Sequence, residues 1–162
     1  MIISDSSPLV SLSYIKKLDL LKELYGQLVI PHAVWNEVVV NGAGEPGAKE
    51  VESADWIQSE NVKNENLVKA LQQELDCGEA EAIALAVEED AKFVLMDERI
   101  GREVAYNMGV SCVGLLGVLR DAKMRGLIPK LKSILDRLQN EAGYRISSDL
   151  YQMILNDVDE SG

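Results

Sequence analysis

The residues from Leu75 to Glu103, LDCGEAEAIALAVEEDAKFVLMDERIGRE, constrain the fold of this chain more than any other stretch. The run from Lys92 to Met96 (KFVLM) is apolar nearly throughout and reads as a buried strand. It ends abruptly on Asp97 and Glu98, before residues with helical spacing. In open α/β sheets the binding crevices lie beyond the carboxyl ends of the strands, so Asp97 stands where chemistry is usually done. Upstream, Glu79 and Glu81 open a helix in which Ala80, Ile83, Ala84 and Val87 recur at i, i+3, i+4, i+7, while Ala82, Leu85 and Ala86 cover much of the other side. Such a helix is packed on more than one face, and acids at its start are unfavourable unless something pairs with them. Glu79 and Glu81 lie about 200° apart at ~100° per residue, so only one of them faces a given pocket. The competing explanation is structural: Asp76 caps the helix and Glu79, three residues on, completes a capping box.

The same strand-to-acid junction opens the chain. Met1-Ile2-Ile3 is a short apolar strand reaching Asp5, and Ser6-Ser7-Pro8 predicts a helix with a serine cap and a first-turn proline. Leu9, Leu12 and Ile15 continue that helix; Leu18, Leu21 and Leu24 predict another, ending near Gly26. A buried strand over 27–31 precedes a helix carrying Val34, Trp35, Val38 and Val39, with Glu37 out of phase with Val34 and Val38. The segment from Asn41 to Gly47 reads as a mobile loop near Glu37. A brief helix over 48–53, a strand at Trp56-Ile57-Gln58 and a polar helix over 65–74 lead into the central stretch. Beyond it come a strand over 110–113, a helix over 114–123, a helix with Leu131, Ile134, Leu135 and Leu138 stopped at Gly143, and one last amphipathic turn or two at Leu150, Met153 and Ile154. Strands alternating with helices predict an α/β fold with a central parallel sheet, right-handed crossovers and helices on both faces. The 162 residues are expected to form one domain, with an additional helical part from about 129.

No run of about 18 apolar residues exists, and the N-terminus lacks a basic region and an apolar signal segment, which predicts a cytoplasmic protein without a membrane span. Cys77 and Cys112 lack CxxC spacing and are expected to be reduced, while a single histidine, His32, rules out a His-based zinc site of the usual type. The net charge of −11 argues at first against a nucleic-acid partner. Its distribution matters more: from Glu37 to Glu98 sixteen acids face four lysines, whereas from Arg99 to Arg137 eight bases face three acids. That asymmetry suits an acidic pocket with a basic rim, as well as ordinary solvated helix faces. Arg99 and Arg102, one turn apart just past Asp97, are candidates to hold a phosphate, with pairing to Glu98 or Glu103 as the alternative.

Three or four carboxylates in one crevice repel each other and raise one another's pKa values; a hard divalent cation held by oxygen ligands resolves the repulsion, and Mg²⁺ or Mn²⁺ fits. Two such ions can activate water and stabilise the leaving oxygen in phosphodiester hydrolysis without any histidine or cysteine. The chain offers no other chemistry: it has no GxxxxGK[ST], no GxGxxG after a strand, and no base for Ser6 or Ser7.

Four stretches together resemble a known family. Ile-Ile-Ser-Asp-Ser-Ser-Pro-Leu at the start, Ile-Pro-x-x-Val-x-x-Glu ending at Glu37, Gly-Glu-Ala-Glu-Ala-Ile-Ala-Leu-Ala over 78–86 and Val-Leu-Met-Asp-Glu-Arg over 94–99 look like the four acidic motifs of PIN domains, in order. The likeness is closest to VapC-like toxin relatives with the Gly-Glu-Ala-Glu-Ala-Ile-Ala-Leu-Ala pattern. It implies a three-layer α/β/α sandwich, a Mg²⁺- or Mn²⁺-dependent endoribonuclease acting on RNA, and the toxin half of a toxin–antitoxin pair. By position it implies Asp5, Glu37, Glu79 and Asp97 as catalytic and metal-binding acids. Ser6, Glu98 and Glu81 are secondary candidates, with Glu81 competing for the third position, where the family usually carries Asp. Two other readings use the same acids: a non-catalytic PIN-like module that binds RNA or protein, and a hydrolase of small phosphoesters. A homodimer and an antitoxin are expected to meet the helical surfaces, because the stripes Leu9–Leu12–Ile15 and Leu131–Ile134–Leu135–Leu138 exceed what one sheet face must cover.

Overall fold

The computed structural model describes residues 1–160; positions 161 and 162, included in the expected domain, lie outside the described residues. Strands β1 (Ile2–Ser4), β2 (Leu28–Pro31), β3 (Ile57–Glu60), β4 (Phe93–Leu95) and β5 (Cys112–Val113) form one sheet in the order β3-β2-β1-β4-β5. Every pairing is parallel. The chain steps outward from β1 through β2 to β3, then returns to the other side of β1 for β4 and β5. The crevice between β1 and β4 is therefore the switch point of the topology, where α/β sheets bind their ligands. Register finishes the placement: Ser4 lies opposite Leu95, and the Asp5 amide donates to the Leu95 carbonyl at 2.9 Å. Asp5 and Asp97 thus leave neighbouring strands at the same edge.

The helices are α1 (Ser6–Tyr14), α2 (Asp19–Tyr25), α3 (His32–Trp35), α4 (Ala48–Ser53), α5 (Glu65–Leu71), α6 (Cys77–Glu89), α7 (Arg99–Asn107), α8 (Leu115–Met124), α9 (Leu131–Glu141) and α10 (Ser148–Asp157). Strand side chains alternate between two hydrophobic clusters, as the pleat requires. Leu28, Ile30 and Leu95 join α1, α2, α8, α9 and α10 on one face. Ile3, Val29, Val94 and Met96 join α5, α6 and α7 on the other. The result is the three-layer α/β/α sandwich with a central parallel sheet. The alanines of α6 let it settle against β1, β2 and β4 together, with Ala80, Ala82 and Ala84 fully buried.

Three features differ from the expectations. The helix expected around Glu37 is broken after α3 by a π turn over Asn36–Val40, in which the Asn41 amide reaches the Asn36 carbonyl at 2.7 Å. The extra residue keeps Val38 and Val39 both buried, which a regular helix following Val34 would not favour. The C-terminal amphipathic stretch is a full ten-residue helix, α10, and seals the far side of the larger cluster with Ile154 and Leu155. The two apolar stripes expected to leave a surface remnant do not: Leu9, Leu12, Ile15, Leu131, Ile134, Leu135 and Leu138 are all buried, because α9 packs on α1 within the chain. Leu135→Ala should consequently destabilise the isolated chain by ~2–5 kcal/mol, through the lost transfer energy and the cavity left behind. Melting of the variant and its parent at equal concentration checks it; a partner-facing leucine would leave the melting temperature unchanged.

A candidate acidic active site

Each acid reaches the β1–β4 crevice by a different local device. Asp5 occupies the N-cap position of α1, where serine was the expected cap, yet its side chain makes no cap hydrogen bond. Its carboxylate is left for the crevice. The Ser6 hydroxyl donates to Glu37 Oε2 at 2.9 Å, so the π turn delivers Glu37 onto the start of α1. Behind them stands Gly78 in the first turn of α6: a Cβ there would lie 3.2 Å from Glu37 Oε2 and 3.5 Å from Asp5 Oδ1. A side chain there would press Glu37 aside by a few tenths of an ångström, so glycine gives the helix its closest approach to both carboxylates.

Glu79 and Asp76 form the capping box proposed as the structural alternative, with the Glu79 amide donating to Asp76 Oδ1 at 2.8 Å and the Asp76 amide donating to Glu79 Oε1 at 3.1 Å. The box and the site are not exclusive, since Glu79 is buried at the cleft and engages the cap through only one oxygen. Asp97 is not the cap of α7; Glu98 is, accepting from the Gly101 amide at 2.8 Å. Asp97 instead serves α8, whose N-cap is Gly114 and has no side chain to offer: Asp97 Oδ1 accepts from the Leu115 amide at 2.8 Å and from the Tyr144 hydroxyl at 3.0 Å. Its Oδ2 is buried without a partner.

Together these side chains line a cleft of about 370 Å³: Asp5, Ser6, Ser7, Glu37, Asp76, Glu79, Asp97 and Glu98. Among the described residues the ion pairs all lie between Arg120 and Glu160, so no cation of the chain pairs with these acids. Burial pushes the Asp5 carboxyl up to about 7, with Glu79, Asp76 and Glu37 adding repulsion against the single lowering influence of the Ser6 backbone. Glu79 rises to about 6, again chiefly by burial. The donor chemistry fits a hard divalent cation: oxygen ligands only, an orphaned buried carboxylate oxygen on Asp97, and a glycine cradle between Asp5 and Glu37. As the side chains stand, engaged with caps and hydroxyls, no three acids among the described residues are gathered closely enough to enclose an ion.

The structure thus brings Asp5, Glu37, Glu79, Asp97, Ser6 and Glu98 to one cleft and leaves Glu81 out. Glu81 Oε1 accepts from the Ala33 amide at 2.9 Å, satisfying the start of α3, and the side chain borders a different cavity. Arg99 and Arg102 line an adjoining cavity that shares Asp97 with the cleft, and neither pairs with Glu98 or Glu103. Sequence reasoning identified Asp76 only as a cap and missed Tyr144 altogether; a tyrosine 47 residues from Asp97, just after a helix stop, carries no local signal of such a contact.

With this geometry in hand, comparison with known families is specific. A family model described as "DUF3368: PIN domain" matches residues 1–160, and the chain belongs to the PIN-domain family. PIN domains are generally nucleases, which bind RNA and generally use divalent metals. No curated protein matches the chain.

Two predictions follow from the electrostatics and the caps. Because the carboxyl of Asp5 binds its proton more tightly folded than unfolded, the metal-free protein loses stability as pH rises from about 4 through about 7. Asp5→Asn removes that loss, so at pH 8 without metal it should melt higher than the parent, by at most ~4 kcal/mol of stability at ~1.4 kcal/mol per pK unit; the gap should close toward pH 4, and denaturant titrations at several pH values read it. Glu79→Gln should weaken Mn²⁺ binding in calorimetry, whereas Glu81→Gln should leave Mn²⁺ binding unchanged and lower stability by ~1 kcal/mol through the weakened start of α3.

Proposed function

We propose that the chain acts as a single unit that hydrolyses RNA phosphodiesters, a Mg²⁺- or Mn²⁺-dependent endoribonuclease with Asp5, Glu37, Glu79 and Asp97 as its catalytic and metal-binding acids. The observation that supports this most is the convergence of six carboxylates at the sheet's switch point, none of them in an ion pair among the described residues. Divalent cations bound there would neutralise the cluster, activate water and stabilise the leaving oxygen. The chain's own residues have separable tasks. Asp5 and Asp97 are fixed by backbone hydrogen bonds at the ends of β1 and β4, Ser6 orients Glu37, and Asp76 holds one oxygen of Glu79 while leaving the other to the cleft. Arg99 and Arg102, which line the adjoining cavity, would supply counter-charge to the phosphate of a bound strand.

The toxin role, a homodimer and an antitoxin partner belong to the same proposal and rest on the likeness of the motifs to VapC-like toxins; a cytoplasmic setting is proposed alongside them. The buried α1 and α9 stripes no longer argue for the dimer. An antitoxin arginine entering the acidic cleft would be drawn by the same uncompensated charge. No helix among the described residues is long and apolar enough to cross a membrane.

A second reading has its own observation. Glu79 is tied into a cap, Glu37 to Ser6, and no three acids are gathered, which suits a non-catalytic module that binds RNA or protein without cutting it. Incubating RNA with the chain and Mn²⁺, against an EDTA control, separates the two. The nuclease reading expects cleavage in Mn²⁺ alone, abolished by Asp5→Asn and by Asp97→Asn in proteins that melt no lower than the parent. Intact RNA at every Mn²⁺ concentration, with no Mn²⁺ bound in calorimetry, would leave the binding module.

A further inference from the structure

The wall that Asp97 gives to the acidic cleft is shared with a second, open cavity of about 580 Å³, lined by Asp97, Arg99, Arg102, Glu103, Tyr106 and Asn107. A third, of about 400 Å³, continues past Arg102 and Tyr106 toward Cys112 on the edge strand. Shared walls make these one groove that begins at Asp97 and follows α7. Arg99, Arg102 and Tyr106 stand at i, i+3 and i+7 on one face of that helix, whose opposite face buries Gly101 and Ala105. At 1.5 Å rise per residue the face runs about 10 Å away from the acids.

Two features of this face have no use within the chain. Tyr106 is 81% exposed, the most exposed of the large hydrophobic side chains, so its ring is not held by packing. Neither arginine has a salt-bridge partner among the described residues. Arg102 is nonetheless placed: its Nη1 and Asp97 Oδ1 lie 2.8 Å and 3.0 Å from where a Cβ on Gly114 would sit, so its guanidinium borders the acid at the mouth of the cleft. Glu103 is the one acid on the outer part of this face. It repels phosphate, which confines a polyanionic backbone to the Arg99–Arg102 end and leaves the Tyr106 end to an uncharged group.

We propose that this groove carries single-stranded RNA on one side of the scissile bond, with Arg102 and Arg99 holding backbone phosphates and Tyr106 stacking one base. Guanidinium groups grip phosphate oxygens, and an exposed ring offers a platform to any base, because every base has a π face. Tyr106 therefore sets where the strand sits, not which base is read. The proposal rests on the reading of the acids as a nuclease site for the identity of the occupant, but its test does not need cleavage.

The full chain in EDTA is titrated into a labelled single-stranded oligoribonucleotide and anisotropy is read. Tyr106→Ala should weaken binding roughly 5- to 100-fold and Tyr106→Trp should restore it, while Arg102→Ala should weaken binding and lower the salt dependence by about one released ion. With a series of oligomers abasic at one position each, the difference between parent and Tyr106→Ala should vanish for the oligomer that lacks the stacked base. Equal binding by Tyr106→Ala and the parent, or a difference that survives every abasic position, overturns the proposal. A dimer that becomes a monomer on Tyr106→Ala in light scattering also overturns it, since the ring would then be a subunit contact. A chain that binds in this Tyr106-dependent way but cuts no RNA in Mn²⁺ removes the nuclease reading and keeps the groove; cleavage with binding indifferent to Tyr106 does the reverse.

Discussion

The hydrogen bond from the Asp5 amide to the Leu95 carbonyl extends the β1–β4 ladder one residue past the end of β1, and the rest of the site depends on it. A parallel register slipped by one residue would turn every side chain of β1 to the opposite face, moving Ile3 out of the layer beneath α6 and Asp5 out of the crevice. The register is held by burial on both faces of the sheet, since Ile3, Val94 and Leu95 are all fully buried. Core packing and acid placement are therefore one constraint: the hydrophobic pattern that chooses the register also sets the two carboxylates side by side.

What that constraint brings together is electrostatically unfavourable, and the fold tolerates it in identifiable ways. The start of α6 directs a positive helix end at Asp5 and Glu37, with Gly78 allowing a close approach. Hydroxyls and backbone amides solvate single oxygens of Glu37, Glu79 and Asp97. None of these supplies a full positive charge, so the folded chain retains a preference for whatever cation can enter, whether a metal ion or a basic side chain. Carboxylates held apart by such weak partners also have little to lose when a stronger ligand arrives.

Much of this was legible in the sequence because it depends on short-range pattern. KFVLM followed by an acid, a serine-serine-proline start, and an alanine-rich helix opened by glutamates place Asp5, Glu79 and Asp97 on their elements without knowledge of the fold. Helical geometry said only that one of Glu79 and Glu81 could face the crevice; the preference for Glu79 came from the resemblance of the motifs, and it is Glu79 that lines the cleft while Glu81 turns to the start of α3. The capping box was equally visible, but offered as a rival to function; the structure has one carboxylate serving both, an outcome that one-oxygen bookkeeping permits and a residue-level reading does not distinguish. The π turn was invisible, because Val38 and Val39 side by side are compatible with a regular helix until the competing burial on both sides is known. The destiny of the α1 and α9 stripes was likewise a question of tertiary partnership: two apolar stripes separated by more than a hundred residues can cover each other, and spacing within each says nothing about it.

The hydroxyl of Tyr144 on Asp97 ties the acidic site to the helical layer formed by α8 and α9. All four motif acids lie within the first 97 residues, whereas the amide that steadies Asp97 belongs to α8 and the hydroxyl to a turn beyond α9. The restraint on Asp97 is therefore coupled to the packing of α8 and α9 on the sheet, and a change that loosened that layer would release this carboxylate while leaving the β1–β4 register in place.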